Sequence, residues 1–227
     1  MWWFRGLHAN LVAALGEAAA ARRILDAGCG TGGLLARLAA AFPTAALVGI
    51  ELDREAARLA RAKSGGALCI GSVDRLPFAD GAFDAVVSAD VLCHRGVDGR
   101  RALRAFHRCL APGGLLVLNL PAYRWLYSAH DAAVDNARRY GGDELRRLIA
   151  EAGFARIRTR YWNSLLFPLM VLRRKLWRRH AATSEVALAP APLEHAFGTL
   201  LALERRLQRA GLWLPFGGSL LATAVKP

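Results

Sequence analysis

The sequence predicts an α/β fold, a Rossmann-like seven-stranded sheet with helices on both faces and a helical insertion before the last strand. Three observations predict it. Residues 24–27 form a short apolar run that enters the glycine-rich turn Gly28-Cys29-Gly30-Thr31-Gly32-Gly33, and a helical pattern starts at once, with Leu34, Leu35 and Leu38 on one face. A second apolar run ends at Glu51, 21 residues after Gly30, the distance at which the second strand of a βαβ unit returns beside the first. A helical stretch stops at Ala111-Pro112-Gly113-Gly114 and an apolar strand follows directly.

The elements follow in order. Residues 1–21 are expected to be a lid-like N-terminal helix, because Leu7, Leu11, Val12 and Leu15 share one helical face. Its aromatic start, Trp2-Trp3-Phe4-Arg5, followed by His8, allows either packing on the core or a cap over bound ligands. Strands are expected at 23–27, 46–52, 67–71, 83–88, 115–120, 156–161 and 219–226. Helices are expected to follow the glycine turn to Ala41 and to span 54–62, 98–110 and 143–153, with Pro43 closing the first and Asp53 capping the second. The chain thus reads as one domain: 1–21 helix, 22–161 ligand-binding core, 162–218 helical insertion, 219–227 last strand.

Composition bounds the partners. Over 227 residues, 54% are hydrophobic, enough for a sizeable core. The net charge is +13, and of 31 basic residues only Lys63, Lys175 and Lys226 are lysine. Abundant arginine is explained either by a GC-rich genome or by attraction to anionic surfaces. The arginines are scattered among leucines with no appended RNA-binding module, so no nucleic acid partner is expected. Cys29, Cys69, Cys93 and Cys109 form no C-x-x-C pair and no zinc spacing, so no metal is expected and a reducing compartment suits them. No secretory h-region is visible and no apolar run reaches the roughly 18 residues of a membrane helix. A cytoplasmic location is expected, with peripheral contact to an anionic membrane left open.

The glycine turn carries the chemistry. Gly28, Gly30 and Gly33 satisfy G-x-G-x-x-G, so their spacing alone also admits an NAD(P)-dependent oxidoreductase. Asp26 decides between the two. Its carboxylate would repel a pyrophosphate, whereas an ammonium and a sulfonium would suit it. Helix-initial N–H groups of the turn point at a ligand. The carboxylate of Glu51 can accept ribose hydroxyls in either cofactor class.

Asp26-Ala27-Gly28-Cys29-Gly30-Thr31-Gly32 resembles the D/E-x-G-x-G-x-G signature of class I S-adenosylmethionine-dependent methyltransferases. Gly71-Ser72-Val73-Asp74-Arg75-Leu76-Pro77-Phe78 is similar to that family's G-D-A-x-x-L-P-F, whose Asp usually accepts from the adenine amino group. Ser72 departs from the pattern and brings no charge. The stretch from Phe83 to His94 resembles the fourth strand, whose end faces the sulfonium in the family. The Trp-Trp-Phe-Arg opening and residues 214–221 resemble one group of bacterial small-molecule methyltransferases. The resemblance covers residues 23–120 nearly continuously. It implies S-adenosyl-L-methionine as cofactor, held by Asp26, Gly28, Gly30, Gly32, Glu51, Leu52, Ser72, Val73 and Ala89.

Substrate residues should come from loops after the strands. The connection after the fifth strand holds Tyr123, Trp125, Tyr127, His130 and Tyr140. These aromatics, with Trp3, are the substrate candidates. Methyl transfer needs a nucleophile placed in line and water kept out. A hydroxyl acceptor would gain from a general base, His94 or His130, each of which has an equally ordinary structural reading. A carbon acceptor would use aromatic faces to stabilise a cation. The expected function is methyl transfer to a small apolar or amphipathic, lipid-like metabolite. The alternatives are the oxidoreductase, which lacks a Tyr-x-x-x-Lys motif here, and a non-catalytic cofactor-binding or membrane-surface protein.

In the insertion, the apolar residues 165–172 run into the basic, Trp-bearing residues 173–180, either an interfacial membrane helix or a helix closing the pocket. Residues 193–210 form a second helix, a cap or a homodimer surface.

Overall fold

The computed structural model describes residues 1–16, 21–176 and 190–227. Seven strands form one sheet: β1 (Arg23–Ala27), β2 (Ala46–Glu51), β3 (Ala67–Ile70), β4 (Phe83–Ala89), β5 (Leu110–Pro121), β6 (Ala155–Trp162) and β7 (Ser219–Val225). Their spatial order is β3-β2-β1-β4-β5-β7-β6. Only β7 runs antiparallel to its neighbours, inserted between β5 and β6. The helices are α1 (Trp2–Leu15), α2 (Gly33–Ala41), α3 (Arg54–Ser64), α4 (Gly99–Cys109), α5 (Ala129–Ala133), α6 (Gly142–Glu151), α7 (Phe167–Leu176) and α8 (Ala191–Arg209).

Alternation along the strands divides the core in two, because successive side chains point to opposite faces. Ile24, Ala85, Val87, Leu115 and Val117 pack with Leu7 and Leu11 of α1, Leu34 and Leu38 of α2 and Leu201 of α8. Leu25, Val86, Leu116 and Leu118 pack on the other face, with Leu103 and Phe106 of α4 and Leu145 and Ile149 of α6. Helices therefore cover both faces, as a largely parallel sheet with continuous apolar strands requires. The N-terminal helix is one of these layers: Leu7, Leu11 and Leu15 are buried.

Local signals set the helix starts. The Asp53 carboxylate accepts from Ala56 N at 2.7 Å, and that of Asp98 from Arg100 N and Arg101 N. The α1 helix is described over Trp2–Leu15, and residues 17–20 of the stretch expected as its continuation lie outside the described residues. One boundary differs from expectation. The Pro-Gly-Gly stretch does not separate α4 from β5: Leu110 already pairs with Phe83, and the next pair is Leu115 with Ala85, so residues 111–114 bulge from one continuous strand. Of the apolar-then-basic stretch in the insertion, residues 177–180 lie outside the described residues. Among the described residues no helix is long and apolar enough to cross a membrane.

If α1 is a structural layer, Leu11→Ala should cost about 2–5 kcal/mol of unfolding free energy, as for other fully buried leucines. Urea unfolding followed by circular dichroism measures it; a loss below ~0.5 kcal/mol would mean that α1 is a detachable lid.

Candidate active site

The carboxyl ends of β1, β2 and β4 meet at one edge of the sheet, because Ala27 pairs with Ile50 and Asp26 with Val87. The turn after β1 is tied down there: Gly28 N and Cys29 N both donate to Ile50 O, at 2.9 and 3.0 Å. Its glycines are needed for different reasons. Gly28 has φ +81°, and a Cβ on it would overlap the Val91 side chain. A Cβ on Gly32, φ +77°, would lie 2.6 Å from Ala60 Cα of α3. Gly30, φ +52°, faces open space, with no atom within 4 Å of a Cβ built on it. A ligand can therefore approach the backbone at Gly30.

Two carboxylates flank that space. Glu51 accepts from Gly30 N at 2.8 Å through Oε2, and from Leu52 N and Asp53 N at 2.9 and 3.1 Å through Oε1. These bonds fix its orientation and leave acceptor capacity on Oε2, since a carboxylate has about four lone-pair sites. Asp26 is 1% exposed, and its Oδ2 has no hydrogen-bond partner. Burial, and after it the Glu51 charge, pushes the Asp26 carboxyl up to about 7. A buried carboxylate oxygen without a donor, next to a second acid and an open glycine, fits a cationic, ribose-bearing ligand. It does not fit a pyrophosphate.

The other cofactor candidates are placed unevenly. Leu52 stands 69% exposed beside Glu51. Ala89 is the last residue of β4. The Ser72 hydroxyl accepts from Asp74 N at 3.2 Å, which closes its own turn, and the Val73 side chain belongs to the core.

At the end of β4 lies a feature that sequence reasoning missed. Asp90 has φ +55°, a conformation Asp tolerates better than most residues. Its Oδ1 accepts from Asn119 Nδ2 at 2.8 Å, and Asn119 Oδ1 accepts from Trp162 Nε1 at 2.7 Å. Trp162 in turn stacks on Trp3, with centroids 4.8 Å apart and planes at 13°. Burial pushes the Asp90 carboxyl up to about 7, against the Asn119 bond and the Arg139 charge. The only signal in the sequence was an acid directly after an apolar strand. His94 follows closely, half-buried, bridged through its backbone to Asn136. His8 of α1 was also not a site candidate, yet it lies against the first residue of α2: a Cβ on Gly33 would be 3.1 Å from His8 Cε1. Burial, then Arg37 and Lys63, lowers His8 to about 4.

The loop after β5 separates its aromatics. Tyr123, φ +61°, stacks on Tyr161 with centroids 5.2 Å apart, and its ring also meets Trp125 and Phe167. Phe167 continues to Phe216 at 5.8 Å. Tyr161, Phe167 and Phe216 thus extend the aromatic wall with side chains from β6, α7 and the approach to β7. Trp125 is 54% exposed at its edge. The Tyr127 hydroxyl donates to Asn136 O at 2.9 Å. Tyr140 is a correction: it is 1% exposed and its hydroxyl donates to Leu92 O at 2.7 Å, so it holds the loop to the core and presents nothing to a substrate. His130 lies half-buried in α5. Its neighbour Asp131 cannot orient it, because that carboxylate takes Arg139 at 2.8 Å and Arg174 at 3.0 Å.

Residues 25–118 match a methyltransferase domain family. Malonyl-[acyl-carrier protein] O-methyltransferase of Geobacter sulfurreducens is 34% identical over 148 residues, 58% of this chain and 55% of that protein. 24-Methylenesterol C-methyltransferase 2 of Oryza sativa subsp. japonica is 31% identical over 174 residues, 65% of this chain and 45% of that one. The chain spans about half the length of such curated relatives. Among solved structures, a geranyl diphosphate methyltransferase in complex with GPP and sinefungin superposes with TM-score 0.63 at 18% identity, covering 97% of this chain and 76% of that one. A SAM-dependent methyltransferase from Archaeoglobus fulgidus gives 0.61 at 15% identity, covering 98% and 96%.

The raised Asp26 carboxyl sets a pH signature. Between the ordinary 3.8 and about 7 the folded state holds a proton that the unfolded state has lost, so Asp26 makes stability fall as pH rises through that window and leaves it lower above. Asp26→Asn should remove that loss. Its Tm relative to the parent, followed by scanning calorimetry without ligand, should climb by about 3 °C or more from pH 4 to pH 8 and then level off. A constant difference across that range would contradict the assignment.

Proposed function

We propose, from the premise that this chain carries a class I S-adenosylmethionine-dependent methyltransferase domain, that it transfers a methyl group to a small apolar or amphipathic metabolite. The observation that carries the proposal is the partnerless Oδ2 of Asp26 beside Glu51. Bound S-adenosylmethionine supplies an electrophilic methyl on a sulfonium. Asp26 is assigned to its ammonium, which would return the carboxyl to its ionised form, and the free capacity of Glu51 Oε2 to the ribose. Gly28, Gly30 and Gly32 keep the turn clear of side chains. An oxidoreductase is disfavoured by the same Asp26, since a pyrophosphate against a buried acid would be repelled.

The substrate side is read from the aromatic wall. Tyr123, Trp125, Phe167 and Phe216 present apolar faces that exclude water and accept a hydrophobic acceptor. The curated relatives quoted above are named for an acyl-carrier-bound malonyl group and for a sterol, and both names are compatible with such a wall. Trp3 enters through its stack on Trp162, which orients Asn119 and Asp90 behind the end of β4. Where the acceptor is a hydroxyl, His94 is the better placed base of the two histidines: it follows β4, whereas His130 lies beside an aspartate committed to two arginines.

The test is transfer of label from methyl-labelled S-adenosylmethionine into a cell extract separated into organic-soluble, small polar, protein and nucleic-acid fractions. Label in the organic-soluble fraction is the expected result; label in nucleic acid would overturn the substrate class, and bound cofactor with no transfer would favour a binding protein. Glu51→Ala should weaken cofactor binding by about tenfold or more in calorimetry, roughly 1.4 kcal/mol. Trp125→Ala should raise KM for the acceptor while leaving that cofactor Kd unchanged.

A further inference from the structure

Asp90 stands where the two halves of the site meet. Val91, the next residue, packs against the glycine turn, since a Cβ on Gly28 would overlap its side chain. On the other side, Cys93 Sγ shares its proton between Asp90 O and Asn136 Oδ1, each at 3.1 Å, and so ties the same turn to the loop after β5. Asp90 is thus set between the glycine turn and the loop that begins the aromatic wall.

Its carboxyl is held at one oxygen and open at the other. The Trp162 indole N–H only donates, so it meets the carbonyl oxygen of the Asn119 side chain and turns the amide NH2 towards Asp90 Oδ1. Asp90 N donates to Asn119 O at 2.8 Å, so one residue fixes both main chain and side chain. The stack on Trp3 holds the indole in its turn. Oδ2 accepts from no described residue, and it is not among the polar atoms sealed in the interior. Asp90 is enclosed but not sealed: part of it reaches the surface. Its left-handed φ of +55° is costly for a residue with a Cβ, and such strain persists only where the surroundings over-determine it. His94, four residues on, is tied through its main chain, and among the described residues no hydrogen bond orients its ring.

We infer that Asp90 is a catalytic residue of the methyl transfer, taking through Oδ2 the proton of a hydroxyl acceptor, with Asn119 and Trp162 as its positioning residues. The inference rests on the methyltransferase reading above. As the acceptor oxygen bonds to the methyl carbon, the S–CH3 bond breaks and its electron pair stays on sulfur. The O–H proton passes to Oδ2 and leaves to solvent with product release. A hydroxyl is the acceptor that becomes a good nucleophile by losing that proton. A carboxylate would bring a further negative charge beside Asp26, Glu51 and Asp90 and has no proton to give. Burial raises the Asp90 carboxyl to about 7, near the pH at which a general base works best. The charge set against it is the Arg139 guanidinium, which also holds Asp131 at 2.8 Å. Burial raises the Cys93 thiol, which keeps its proton, and Asp26 on the neighbouring β1 titrates near 7 while no cation is bound.

The experiment uses the full chain, saturating methyl-labelled S-adenosylmethionine and the extract fraction that takes up label. The parent's rate should rise with pH and level off above about 7, since only the ionised carboxylate accepts a proton. Asp90→Asn, a residue that also tolerates this φ, should lower the rate about a hundredfold or more and abolish that rise, with the S-adenosylhomocysteine Kd unchanged in calorimetry. Trp162→Phe keeps a ring against Trp3 and removes the donor to Asn119. Because the Asn119 bond lowers the Asp90 carboxyl, its loss should slow transfer and move the rise to higher pH. Independently of turnover, an infrared carboxyl band that Asp90→Asn lacks should titrate near 7 in the parent without ligand. An unchanged rate in Asp90→Asn, a pH rise retained there, or a weakened S-adenosylhomocysteine Kd, which would make Asp90 a cofactor ligand, would overturn this role and leave the methyltransferase reading standing. No transfer by the parent with cofactor bound would overturn both.

Discussion

Negative charge is buried at the carboxyl edge of the sheet, and the rest of the site is arranged around that fact. Asp26 sits with one carboxylate oxygen unpaired, Glu51 lies beside it, and Asp90 is enclosed at the next strand end. An unpaired buried carboxylate oxygen such as Asp26 Oδ2 is costly, and desolvation shifts both Asp26 and the Asn119-bonded Asp90 towards protonation. The backbone answers only part of the charge: three N–H groups converge on Glu51 and none on Asp26 Oδ2. The folded chain is therefore electrostatically incomplete at one point, which the ammonium of the proposed cofactor would complete. This is why Asp26 separates the two cofactor classes that glycine spacing leaves equal.

What was legible in the sequence is what depends on neighbours along the chain. The strand, turn and helix at residues 23–41, the return of Glu51 and the Asp53 cap are all local consequences of periodicity, glycine and a capping carboxylate. The bulge at residues 111–114 reads as a boundary because Pro-Gly-Gly usually ends an element, and here the strand pairs with β4 again at Leu115, in a shifted register. Ser72 carries two roles at once. Its place in the motif suggests a ligand contact, and its hydroxyl also accepts from Asp74 N two residues on, which leaves its own proton to donate.

What was not legible depends on the order of strands. The last strand inserts between β5 and β6, so the Trp162 ring reaches across β7 to Asn119. No spacing in the sequence announces that bond, which joins residues 43 apart, and Asp90 enters the site only through it. The aromatic loop divides for a comparable reason. Tyr123 and Trp125 face rings from β6 and α7, whereas Tyr140 is drawn inward by the Leu92 carbonyl, and composition cannot distinguish a ring that lines a wall from one that anchors a loop.

The first helix ties these parts together. Its apolar face is a layer of the core, yet it also carries Trp3 onto Trp162 and His8 against Gly33, so one element touches both β6 and the start of α2. His8 is held near 4 and stays neutral at physiological pH. A cation there would oppose the positive end of the α2 dipole and repel the ammonium and sulfonium assigned to the pocket. Burial thus acts in opposite senses on the two sides of the turn: it raises the proton affinity of Asp26, the acid proposed to meet the ammonium, and lowers that of His8, which as a cation would oppose it.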